Sequence, residues 1–125
     1  MDLSFKYPEH ITHLKFDLDD YQGQKVNHTF DPAFAFIEEQ RKKTNVLVHC
    51  AAGISRCSMI LSSYMMKKYN LDFDSCLLKI RSARPCCQPN TGFIKQLREY
   101  EKMLGIIKKE IAEENNGNRE GLEDL

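Results

Sequence analysis

The segment "VLVHCAAGISRCS", residues 46–58, constrains this chain more than any other. "NVLVH" is short, β-branched and apolar on both faces, which predicts a central parallel strand. It runs into a loop of small residues and then into "CSMILSSYMMKKY", a largely apolar stretch that reads as a buried helix. A strand, a short loop and a helix in that order make an anion site. Loop N–H groups and the first helical turn point at one spot, and the helix dipole adds positive potential there. Small residues in "AAGIS" let the backbone come close, and Gly53 can take a conformation closed to other residues. Arg56 would open the helix with a planar fork of donors suited to two phosphate oxygens. Cys50 would sit at the loop's mouth in the same positive field, which favours thiolate over thiol. His49 is positioned to support the loop through hydrogen bonds to its backbone.

The flanking sequence supplies the remaining layers. "HITHLKFDLDD", residues 10–20, alternates around Ile11, Leu14, Phe16 and Leu18, which suggests a half-buried strand entering an acidic turn. "YQGQKVN" is polar and reads as a loop. "FDPAFAFIEEQRKK" has Phe30, Ala33, Phe34 and Ile37 at helical spacing, Asp31 as a candidate cap and Pro32 in the first turn. "DFDSCLLKIRSAR" repeats the helical pattern through Phe73, Leu77, Ile80 and Arg84. "PNTGFIKQLREYEKMLGIIKKEI" carries Phe93, Leu97, Tyr100, Leu104, Ile107 and Ile111 on one stripe, the pattern of a long helix packed on a core. The order strand, helix, strand, helix, helix, helix predicts an α/β fold: a small, mostly parallel central sheet flanked by helices. The 125 residues suffice for one domain, expected over residues 1–112, with residues 113–125 as a disordered acidic tail.

Bulk properties narrow the function classes. Eighteen basic and eighteen acidic residues balance to zero, so no whole-chain basic field points to nucleic acid or an anionic membrane. Apolar runs fall short of the roughly 20 residues of a membrane helix, and the start lacks the plan of a signal peptide. The expected location is the cytoplasm, with the nucleus open to diffusion. Five cysteines, an odd number, favour neither a disulfide scaffold nor a zinc site, and Cys76, Cys86 and Cys87 read as small, partly buried hydrophobes. No metal and no cofactor is expected. The parts converge on thiolate attack at phosphorus, with Arg56 and the loop amides holding the other oxygens. A phosphocysteine would form and be cleaved by water, and an acid would protonate the leaving oxygen.

"HCAAGISR" matches the H-C-x-x-G-x-x-R signature of cysteine-dependent protein phosphatases, and the downstream "PNTGF" followed by "QL" resembles their dual-specificity branch. The resemblance runs from about Ile11 to Leu104. It implies a protein-tyrosine-phosphatase-like fold and the hydrolysis of phosphotyrosine, phosphoserine and phosphothreonine in phosphoproteins. It also implies Cys50 as nucleophile, Arg56 as phosphate-binding arginine, His49 as the residue that helps set the thiolate's pKa, and Ala51, Ala52, Gly53, Ile54 and Ser55 as the phosphate cradle. Counting back without gaps from "FDPAFAFI" places the family's general acid at Asp20. Asp19 is the competitor, and Asp17 should face the other way if the strand alternates. Asn90 matches an asparagine that helps order the loop.

Two departures from the family pattern stand out. The residue after the signature arginine is usually Ser or Thr, whose hydroxyl helps the sulfur leave. Here it is Cys57, a weaker donor. Slower breakdown of the intermediate, a tolerated isostere, and a redox partner for Cys50 are three readings of that substitution. Second, only ten residues precede Ile11, where the family has further strands and a helix. An N-terminally shortened sheet with an unpaired strand is therefore expected. The neutral loop, without lysines, favours phosphoprotein over polyphosphorylated lipid. A poorly catalytic phosphate-binding or scaffold protein of the same fold is the rival reading. A lipid or RNA 5′-phosphate substrate, or sulfur transfer, stands further off.

Overall fold

The structure, a computed structural model, describes residues 9–51 and 53–106. A single 3₁₀ turn, Asn27–Thr29, leads into four helices: α1 (Phe30–Arg41), α2 (Arg56–Tyr69), α3 (Phe73–Ala83) and α4 (Thr91–Met103). Helix α2 is the hub and packs against the other three. Its composition explains that place. Met59 and Met66 are fully buried, and Ser58, Ser62 and Ser63 are buried beside them, so small and apolar residues cover most of its circumference. Around it Phe30, Phe73, Phe93 and Leu97 bury their side chains completely. Each such burial is worth about 1.5–3 kcal/mol relative to exposure.

The helix ends follow local chemistry. Asp72 caps α3 by accepting a hydrogen bond from Ser75 N at 3.1 Å, and Asn90 caps α4 by accepting one from Phe93 N at 2.9 Å. Asp31, the expected cap of α1, lies instead inside its first turn. Thr29 occupies the cap position, and the Asp31 carboxylate accepts from the Tyr100 hydroxyl at 3.3 Å. Helix α3 stops at Ala83 because Arg84 precedes Pro85 and is forced into extended backbone (φ −143°, ψ 92°). Asn70 ends α2 in the left-handed region. Helix α4 is shorter than its apolar stripe suggested. Gly105 (φ +74°) donates to Lys102 O and Ile106 N to Glu101 O, a Schellman closure with Ile106 buried against the core. Ile107 and Ile111, which continue the stripe, lie outside the described residues, as does the predicted tail at 113–125.

The two β-patterned segments need correction. Among the described residues there is no strand, so they do not show the expected parallel sheet. Both segments still pack on the helical core through alternate side chains, Phe16 and Leu18 from one and Val46 and Val48 from the other. Leu47 between the two valines is 81% exposed, so residues 45–49 bury one face rather than two. Ile11 and Leu14 are also exposed. Period-two patterning fixes which side chains turn inward, but a strand exists only where a neighbour pairs its N–H and C=O groups.

Candidate active site

Cys50 is half-buried at the end of the second extended segment, where the chain turns toward α2. Ser55 occupies the cap position of α2 yet makes no side-chain cap, because its hydroxyl oxygen accepts from Asn90 N at 2.9 Å. The first-turn amides of α2 are thereby left for the loop. Burial pushes the Cys50 thiol up, but stronger effects bring it below the ordinary thiol range. The backbone N–H groups of Cys57, Gly53 and Ile54 all donate to its sulfur, and so does the Cys57 thiol. Cys57 itself, buried and facing the Cys50 thiolate, is pushed up to about 12. It therefore stays protonated and keeps donating.

Gly53 is the pivot of the loop. Its φ of +68° lies in the left-handed region, and a Cβ there would meet the Arg84 guanidinium at 2.7 Å. Segment 84–90 forms the wall behind the loop. Gln88 N donates to Ile54 O at 2.9 Å, and the Cys87 thiol contacts Gly53 O at 3.9 Å. Arg84 was grouped with the core stripe of α3 by its spacing. It sits instead at the helix end, with its guanidinium over Gly53. The signal that places it there is the following proline. Cys76 and Cys87 are buried, and burial pushes the Cys76 thiol up to about 12. Cys86 is exposed, unlike the partly buried hydrophobe expected, and its sulfur accepts from Arg84 Nε at 3.3 Å.

Arg56 opens α2 and is half-buried. Its Nη1 donates to Leu18 O at 2.9 Å, which ties the phosphate-loop side to the acidic segment. Its Nε is buried without a hydrogen-bond partner among the described residues. His49 is exposed, as are Ala51 and Ile54, whereas Gly53 and Ser55 are buried. Ala52 lies outside the described residues.

In "DLDD", Asp20 is tied to the loop through Asn90. Its Oδ1 accepts from Asn90 Nδ2 at 2.9 Å, and the same Asn90 donates its backbone N–H to Ser55. Asp17 is exposed and pairs with Lys15 at 3.5 Å. Asp19 donates its backbone N–H to Gln24 Oε1 at 3.0 Å. Asn90 thus has three tasks: cap of α4, partner of Asp20 and brace of the loop. Gly92 and Gln96 fall within the "PNTGF" and "QL" that carry the family resemblance, yet the sequence assigns them no role, and Gln24 stands in no motif. Neutral amides and a helical glycine carry no chemical signature of their own.

The family described as "Dual specificity phosphatase, catalytic domain" matches residues 2–103. A probable dual specificity protein phosphatase of Dictyostelium discoideum is 42% identical over 99 residues, covering 79% of this chain and 25% of that protein. Human dual specificity protein phosphatase 7 is 34% identical over 104 residues, covering 82% and 25%. Among solved structures, DUSP15 superposes with a TM-score of 0.72 at 30% identity, covering 79% of this chain and 69% of that one. The human tyrosine phosphatase-like serine/threonine/tyrosine-interacting protein gives 0.67 at 31%, covering 70% and 58%. The chain spans about a quarter of the length of these two curated relatives. With the phosphatase fold shared at that identity and the catalytic-domain match running through most of its length, this chain belongs to the dual specificity phosphatase family.

Proposed function

We propose that the chain hydrolyses phosphotyrosine and phosphoserine or phosphothreonine in proteins through a phosphocysteine on Cys50. The observation that carries this reading is the short loop from Cys50 to Arg56 at the foot of α2, with Gly53 in the left-handed region and the Arg56 Nε buried without a partner among the described residues. Hydrogen bonding from the loop amides and the Cys57 thiol lowers the Cys50 pKa and so favours thiolate, the nucleophilic form. Arg56 holds the phosphate, and the buried Nε that lacks a partner gains an oxyanion acceptor when the substrate binds. The amides of the loop hold the remaining oxygens as charge develops on them.

The thiolate attacks phosphorus, the phosphorus–oxygen bond to the substrate breaks, and Asp20 gives its proton to the departing oxygen. Water then attacks the phosphocysteine, Asp20 takes a proton from it, and the Cys50 thiolate leaves with inorganic phosphate as the product. His49, next to Cys50 in the chain, helps set the nucleophile's pKa. Cys57 stands where a hydroxyl would assist the leaving sulfur, and its thiol makes that assistance weaker. Hydrolysis of para-nitrophenyl phosphate by the wild-type chain, abolished in Cys50→Ser, tests the reading. Retained turnover in Cys50→Ser overturns it. Phosphopeptides carrying each of the three residues then rank the substrates. The substrate is a phosphoprotein rather than nucleic acid or membrane lipid, and the location is cytoplasmic with access to the nucleus. Cell fractionation tests the latter.

Contact between the two sulfurs adds a protective route. A peroxide oxidises the Cys50 thiolate to the sulfenic acid, releasing hydroxide. The Cys57 thiol then condenses with it, releasing water and leaving a disulfide. Mass spectrometry of peroxide-treated protein should find the Cys50–Cys57 bond, and Cys57→Ser should accumulate the sulfinic acid instead. A second reading, a phosphate-binding or scaffold protein with poor turnover, draws on the likeness to a solved protein titled as tyrosine phosphatase-like and interacting. Tight binding of a phosphopeptide without turnover would favour it.

A further inference from the structure

We propose that Gln96 and Gln24 form a hydrogen-bond relay, joined through the backbone carbonyl of Gln24, that positions Asp20 for proton transfer, with Gly92 giving the acid loop room to lie against α4. The inference rests on the reading of Asp20 as the acid. Neither glutamine touches the Cys50 loop in any described contact, so both are positioning residues.

Three sets of contacts carry it. Gln96, half-buried on the second turn of α4, uses both ends of its amide. Its Oε1 accepts from Val26 N at 2.8 Å and Asn27 N at 3.2 Å, and its Nε2 donates to Gln24 O at 2.9 Å. Those contacts span about 70 positions of chain and fix the exit of the acid loop to α4. Gln24 then closes the loop on itself. Its backbone N–H donates to Tyr21 O at 3.1 Å, and its Oε1 accepts from Asp19 N at 3.0 Å. Asp20 lies between the two residues so held. Finally, a Cβ on Gly92 would fall 1.9 Å from Gln22 O and 2.7 Å from its carbonyl carbon. Both atoms are backbone, so no side-chain rotation relieves the clash. Only glycine lets the loop rest there, two residues from the Asn90 whose side-chain amide donates to Asp20.

The loop has no ladder and few buried apolar contacts of its own, so its geometry depends on these hydrogen bonds. A shift of about 1 Å in a proton donor costs up to about a hundredfold in rate. That cost appears only where the leaving group needs the proton.

The test measures kcat/KM for 2,4-dinitrophenyl phosphate and for phenyl phosphate. The first releases an oxygen that leaves unaided, and the second releases one that must be protonated. Because kcat/KM reports the step that forms the phosphocysteine, Cys57 does not intrude. Gln24→Ala and Gln96→Ala should each lose about tenfold to a hundredfold on phenyl phosphate and less than about threefold on the dinitrophenyl ester. Gln96→Glu, which keeps the acceptor and loses the donor to Gln24 O, should fall between. Equal losses on both esters mean a merely structural role and overturn the proposal, as does no loss on either. If Gln96→Ala fails to fold, Gln24→Ala, on the surface loop, decides alone. Asp20→Asn in the same pair separates the two levels. If it shows no leaving-group dependence, the acid reading falls and takes the relay with it. If it shows the dependence and the glutamine variants do not, only the relay falls.

Discussion

At residue 57 one atom separates this chain from the serine that the signature often carries there. Sulfur stands where an oxygen is usual, in hydrogen-bond contact with the Cys50 sulfur. The contact does two opposed things. As a donor the thiol stabilises the Cys50 thiolate and so favours attack. As a weak donor it helps less when the same sulfur must leave phosphorus. Cys57→Ser should therefore raise the steady-state rate on para-nitrophenyl phosphate and shrink the pre-steady-state burst. An unchanged burst would remove Cys57 from the rate-limiting step. The first effect has its own readout in the pH dependence of Cys50 alkylation by iodoacetamide. Thiolate reacts, so the rate climbs as pH passes the Cys50 pKa, which lies below the ordinary thiol value of 9.0. Cys57→Ala deletes one donor to the thiolate and should move that rise to higher pH, whereas Cys87→Ala should leave it in place.

At the scale of elements, the ends of helices do most to build the site. The α2 start presents amides, the α3 end turns Arg84 back over the loop, and the α4 start holds Asn90. Two glycines with nearly the same backbone show how differently such positions are constrained. Gly53 and Gly105 have φ of +68° and +74°, and the left-handed region costs other residues about 1–2 kcal/mol. Among the described residues nothing lies within 4 Å of a Cβ at Gly105, whereas one at Gly53 runs into the Arg84 guanidinium. Gly105→Ala should lower stability by about 1 kcal/mol in urea unfolding and leave para-nitrophenyl phosphate turnover unchanged. Gly53→Ala should lose turnover by far more than its stability change accounts for, since the strained loop must also displace Arg84. Equal catalytic losses in the two variants would show that the loop tolerates the added methyl.

For the whole molecule, proton linkage sets an alkaline limit. Burial pushes the Cys76 thiol up from 9.0 to about 12 and the Tyr100 hydroxyl up from 10.0 to about 12, the latter with help from Asp31. Cys57 moves the same way. Each of these groups is held neutral in the folded chain. Its contribution to stability is complete below the unfolded value and is lost as pH rises through the folded one. Cys50 has the opposite sign, because its lowered pKa favours the folded chain as pH rises toward 9.0. The melting temperature should accordingly fall between pH 9 and about 12, and Cys76→Ala should show a shallower fall than the wild type over that window. Equal slopes would mean that Cys76 is not a linked group. The apolar surface around Leu47, Leu14 and Ile11 belongs to this scale as well. Leu47 faces outward between two inward valines, Leu14 is exposed although in step with the inward Phe16 and Leu18, and the two segments that carry them find no ladder partner among the described residues.

The helices were legible in the sequence because period and capping are local. Phe30, Phe73, Phe93 and Leu97 turn inward where the spacing put them, and Cys50 and Arg56 stand on either side of a small-residue loop for the same reason. For Val46, Leu47 and Val48 the sequence, apolar on both faces, predicted burial on both sides, and only the tertiary structure turned the two valines inward and left Leu47 exposed. What only tertiary structure decided are contacts between segments far apart in the chain: Asn90 on Asp20 and Ser55, Arg84 over Gly53, Gln96 on the acid loop, Cys57 on Cys50. Hydrogen bonds of this kind depend on where two backbones meet, and no periodicity in either segment encodes the distance between them.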